Sequence, residues 1–111
     1  EFNDVRWTAK IIRSLAEIDT PPGNYNICSG KAFKASEMLR IVSEKTNHFP
    51  EIINDVKLQR PDEQSIIVGD STKTLNTLNQ NGIRLHQPTI QEILENMITE
   101  YKLQTNAQKT L

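Results

Sequence analysis

Breaker residues cut this chain into short pieces, and that limits its fold more than any other feature. The clusters Asp19-Thr20-Pro21-Pro22-Gly23-Asn24, Asn47-His48 with Pro50, and Asn79-Gln80-Asn81-Gly82 each close an apolar block. No block approaches the roughly 18–20 apolar residues that a membrane-spanning helix needs. Between the breakers there is room for short helices and shorter strands.

Val5 to Ile18 reads as a helix. Val5, Ala9, Ile12 and Ala16 follow 3/4 spacing, Ile11, Leu15 and Ile18 widen the face, and Asp4 is placed as N-cap. Tyr25-Asn26-Ile27-Cys28 reads as a short buried strand, turned by Ser29-Gly30. A second helix is predicted from about Ala35 to Lys45, with Met38, Leu39 and Val42 on one face and Ile41 beside them. Ile52-Ile53 suggests a second strand, and the type of the apolar segment Ser65 to Gly69 stays open. Asp70 or Ser71 can cap a short helix through about Leu78, with Gly82 suited to a left-handed C-cap. Thr89-Ile90-Gln91-Glu92 matches a capping box, followed by a stripe of Ile90, Ile93, Leu94, Met97, Ile98 and Tyr101. Beyond Lys102 the chain is polar and expected to fray. The expected class is therefore α/β, with one domain over 1–102 and a polar tail over 103–111. So few short strands would form only an incomplete sheet, wanting completion by other strands.

The 111 residues fit one domain, and 36% hydrophobic with 24% charged residues is a globular composition. A net charge of -1 supplies no field for nucleic acid or an anionic membrane, so neither is an expected partner. The single cysteine, Cys28, allows no internal disulfide and no zinc spacing. Glu1-Phe2-Asn3-Asp4 is no signal peptide, and the cytoplasm is the expected location. The missing initiator methionine reads as a chain cut or excerpted from a longer one.

Four segments, in order, carry a likeness. Glu1-Phe2-Asn3-Asp4-Val5-Arg6 resembles an Arg-Asp-Phe-x-Asp-Val-Arg segment. Tyr25-Asn26-Ile27-Cys28-Ser29-Gly30 resembles Tyr-Asn-Ile-Gly-Ser-Gly, and Ala32 and Glu37 extend that match. Arg60-Pro61-Asp62-Glu63 resembles Arg-Pro-x-Glu, and Gly69-Asp70-Ser71-Thr72-Lys73 resembles Gly-Asp-x-Ser-Lys. Together, and with Pro88 before the last helix, they resemble the C-terminal part of the extended short-chain dehydrogenase/reductases, the nucleotide-sugar epimerases, dehydratases and reductases. The first segment looks most like the GDP-mannose 4,6-dehydratase and GDP-4-keto-6-deoxymannose reductase branch. Cys28 for a glycine, Trp7 for an aspartate, Lys34 for a serine or threonine and Ile83 for a tryptophan depart from the family pattern.

The resemblance implies the substrate-binding portion of a Rossmann-fold oxidoreductase that uses NAD(P) on a nucleoside-diphosphate sugar, a GDP-sugar first. The parent would be a homodimer or homotetramer, and this chain would join the Rossmann portion of the same enzyme. Its chemistry needs a glycine-rich turn for the dinucleotide and a Tyr-x-x-x-Lys pair. Gly23, Gly30, Gly69 and Gly82 lie far apart, and Ser29 and Thr105 stand four residues after Tyr25 and Tyr101. The chain alone is thus expected to bind no cofactor and to be inactive. A non-catalytic, stand-alone binding or interaction module derived from the same family is the alternative.

Arg60 is either an exposed arginine before a proline turn or, with its planar fork, a diphosphate ligand. Glu63 is either a helix-start acid or an acceptor for two ribose hydroxyls. The resemblance implies the second role for each, as contacts to the substrate pyrophosphate and ribose. Asp70, Ser71 and Lys73 read as cap and surface residues, His48 and His86 as loop histidines, and Cys28 as a small buried hydrophobe. Trp7, Phe33 and Tyr101 read as packing aromatics, there being no basic groove around them.

Overall fold

A computed structural model describes residues 1–61 and 66–109. Four α-helices carry the described chain: α1 (Val5–Glu17), α2 (Ala35–Thr46), α3 (Thr72–Gln80) and α4 (Ile90–Lys109), with a single 3-10 turn at Val56–Leu58. No strand occurs among the described residues, so the α/β expectation and its incomplete sheet are overturned. A strand exists only through a ladder with a neighbour. Within Tyr25 to Cys28 the Asn26 carbonyl is bonded by the Thr74 hydroxyl instead, and Ile52 and Ile53 stand 62% and 79% exposed.

The chain divides into two units. One joins Glu1–Phe33 to Ile67–Thr89, and the other joins Lys34–Ile66 to Ile90–Leu111. In the first, Trp7, Ile11 and Leu78 form the buried centre, with Leu15, Ile18, Ile27, Leu75, Ile83 and Leu85 packed against it. The buried stripe of α1 is therefore Trp7-Ile11-Leu15-Ile18. The row of Val5, Ala9, Ile12 and Ala16 is exposed at every position. Both rows have helical spacing; the one carrying the indole and the larger aliphatics removes more apolar area from water and takes the core.

The ends of these helices follow local chemistry. Asp4 accepts the Arg6 amide at 2.7 Å, as an N-cap should. The α1 exit is closed by Thr20, whose hydroxyl donates to the Leu15 carbonyl at 2.6 Å. At α3, Ile83 N donates to Leu78 O and Gly82 N to Asn79 O, with Gly82 at φ +73. That is a Schellman closure, which needs a left-handed residue and so favours glycine. The helix takes in Asn79 and Gln80, two residues expected in the exit.

In the second unit α2 packs against α4 through Ile41, Ile90, Ile93 and Leu94, all buried. Asn47 ends α2 at φ 52, where His48 N reaches back to the Ser43 carbonyl. Only the first turns of the α4 stripe are covered: Met97 is 53% and Tyr101 70% exposed. Helix α4 also continues through Lys109, past Lys102, where fraying was expected. Leu103, Gln104, Ala107 and Gln108 are good helix formers, and the Thr105 hydroxyl donates to the Tyr101 carbonyl at 2.9 Å.

Candidate functional site

Three of the four motif segments meet in the first unit, and one side chain ties them together. The Glu1 carboxylate accepts the Ser29 amide at 2.7 Å through one oxygen and the Gly69 amide through the other. These two backbone donors, Gly69 first and Ser29 next, hold Glu1 below the usual glutamate range. The approach is close enough to require a glycine at 69. A Cβ there would stand 2.7 Å from Cys28 Sγ and 2.9 Å from Cys28 Cβ. Cys28 itself is 7% exposed, the small buried hydrophobe expected of it.

The Tyr25 to Ser29 segment is held by the two ends of its neighbourhood. The Thr74 hydroxyl, fully buried, donates to the Asn26 carbonyl at 2.6 Å, and the Asn26 amide reaches the Asp70 carbonyl at 3.4 Å. Gln87 donates to the Ser29 carbonyl at 2.8 Å. These bonds do for the segment what a neighbouring strand would do in a sheet.

Asp70 and Lys73 have structural work. The Asp70 carboxylate accepts the Thr72 hydroxyl at 2.6 Å and the Thr72 amide at 2.9 Å, which together hold it below the usual aspartate range. Ser71 is the N-cap position of α3 but makes no side-chain cap bond. Lys73 donates to the Asn24 carbonyl at 2.9 Å and lies 4.4 Å from the centre of the Tyr25 ring, a cation–π distance. The Tyr25 hydroxyl donates to the Pro21 carbonyl at 2.6 Å. Lys73 thus fastens the breaker loop onto α3.

Arg60 lies on the second unit, exposed, just after the 3-10 turn whose Lys57 amide is accepted by Asp55 at 3.0 Å. It is therefore not part of the unit that holds the cluster around Glu1. Glu63 lies outside the described residues. The glycines make no dinucleotide cradle: Gly23, Gly30 and Gly82 adopt positive φ at three separate turns, and Gly69 serves packing. Among the described residues there is no grouping of His, Cys, Asp and Glu suited to a metal ion, and no helix is long and apolar enough to cross a membrane.

Sequence reasoning missed Glu1 as a tie. Trp7 is buried as the packing aromatic expected of it, though it was left out of the α1 face; the signal for that was present, in the i, i+4, i+8 series Trp7-Ile11-Leu15. For Glu1 there was none, since both of its partners are backbone amides distant in sequence. Comparison of the chain with family models, with curated proteins and with solved structures finds no match.

Proposed function

We propose that this chain is the sugar-nucleotide-holding part of an NAD(P)-dependent nucleotide-sugar oxidoreductase of the GDP-sugar reductase or 4,6-dehydratase type. What supports the reading is the joining of segments 1–6, 25–30 and 69–73 through the Glu1 carboxylate, segments that resemble that family in order and spacing. Arg60 would pair with the substrate diphosphate and Glu63 with the ribose. Arg60 is exposed, so its guanidinium is open to a ligand. Cofactor and hydride chemistry belong, in this reading, to a Rossmann portion outside the present residues, in a cytoplasmic oligomeric parent.

A second reading is favoured by one observation. The first unit closes its core with helices and side-chain ties and leaves no sheet edge among the described residues. That suits a non-catalytic binding module derived from the same family.

Titration of the isotope-labelled chain with GDP-mannose, followed by NMR, tests the first reading. Saturable shifts at and around Arg60, weakened at least about tenfold by Arg60→Ala, are expected for a charge-assisted diphosphate contact. No binding, or equal binding by the variant, would remove Arg60 from the site.

A further inference from the structure

A second apolar row runs down the outside of α1. Val5, Ala9, Ile12 and Ala16 share one face and are all exposed, Val5 at 78% and Ile12 at 55%. The core side of the same helix is already taken by Trp7, Ile11, Leu15 and Ile18. One exposed apolar side chain needs no explanation, but a row of four on one face, about 16 Å long, is a surface. Each member is followed by a charged residue: Arg6, Lys10, Arg13 and Glu17, all exposed. The helical step of about 100° per residue lines these four along one edge of the row.

That edge is cationic. Three cations stand against one acid, and the Glu17 carboxylate is already bonded to Arg13 at 2.8 Å. Asp4 is occupied as the N-cap, and Lys10 has no ion pair among the described residues. The helix itself gains nothing from this placement. Its first turn holds Arg6 and no acid, at the end where the helix dipole is positive and a cation is unfavourable. We infer that the outer face of α1 docks an acidic amphipathic helix of a partner protein, apolar row against apolar row and carboxylates along the Arg6-Lys10-Arg13 edge. Charge selects this occupant over a second copy, because an antiparallel pair of α1 helices would set the two cationic edges against each other. Ala9 and Ala16, two turns apart, leave room for larger side chains at i and i+7 of the partner. Nucleic acid would leave the apolar row unused. The inference depends on neither functional reading above.

The probe is a fluorescein-labelled helical peptide with leucines at i, i+3, i+4 and i+7 and glutamates along its edges, compared with the same peptide carrying lysines for the glutamates. Anisotropy titration with the full chain at low ionic strength is expected to show saturable binding of the acidic peptide, at least about tenfold tighter than of the basic one. Ile12→Asn is expected to lose that binding, and Lys10→Glu with Arg13→Glu to reverse the preference between the peptides. All three positions are exposed, so the variants keep the core, and unchanged far-ultraviolet dichroism verifies this. No binding of the acidic peptide, equal affinity for both, or an unaffected Ile12→Asn variant would each overturn the inference. So would self-association in sedimentation that Ile12→Asn abolishes, which assigns the face to a second copy, or Ile12-dependent binding to phosphatidylserine vesicles tighter than to the peptide, which assigns it to a membrane.

Discussion

The two units of this chain solve the burial problem to different degrees. The first wraps α1 and α3 around Trp7, Ile11 and Leu78, at 3%, 0% and 1% exposure, and fastens its loops with side-chain bonds to the backbone. The second pairs α2 with α4 over Ile41, Ile90, Ile93 and Leu94, then leaves Phe49, Ile53, Val56, Leu58 and Tyr101 in water. Similar numbers of residues therefore yield unequal cores. What separates them is the number of elements that converge: two helices and three loop segments in one, a helix pair in the other. A helix pair can cover only one stripe of each partner.

The largest expected effect breaks the better core. Leu78→Ala should cost about 3–5 kcal/mol, the upper part of the range for a fully enclosed leucine. Ile41→Ala in the second unit should cost about 2 kcal/mol or less, because its looser surroundings can collapse onto the gap. Chemical denaturation with near- and far-ultraviolet dichroism compares the two, and equal costs would erase the distinction.

A smaller effect sharpens the account of how the first unit is tied. Gly69→Ala places a methyl against Cys28 and should cost about 1–3 kcal/mol, as overpacking does. Adding Cys28→Gly should recover most of that loss, since Cys28 supplies the two nearest atoms. A double-mutant cycle with no coupling would show that the cost comes from elsewhere.

The smallest effect is electrostatic. Glu1 and Asp70 both have folded-state pKa values below their ordinary ones. Their stabilising contribution is fully present above the ordinary carboxylate range and is lost as pH falls through the lowered folded values. Both are solvent-accessible, so screening keeps the effect small. Acid titration followed by NMR should loosen the Ser29, Gly69 and Thr72 amides together. Glu1→Gln should flatten the response at Ser29 and Gly69 and leave Thr72 unchanged.

The helices were legible in the sequence because their signals are local. Asp4, Asn47 and Gly82 act within one turn of their own positions, and they stop or start helices near where the sequence places them. The strands were misread because β structure is a property of pairs. Tyr-Asn-Ile-Cys has strand composition, but Thr74 takes up the Asn26 carbonyl, Gln87 and Glu1 take up the backbone of Ser29 just after it, and none of these is near it in sequence. The buried face of α1 was misassigned for a different reason: two rows share the same period, and only residue size separates them. Of the site, Arg60 stands exposed as its charge suggested, and Glu63 lies outside the described residues. The Glu1 tie exists only in three dimensions.

Native-state amide hydrogen exchange tests the central contrast most directly, since it reads local opening residue by residue. The slowest amides should lie in α1 around Ile11 and in α3 around Leu78, with α4 beyond Met97 exchanging much faster despite belonging to the longest helix. Slowest exchange in α2 and α4, with α1 and α3 opening first, would contradict the view that the first unit carries the stable core.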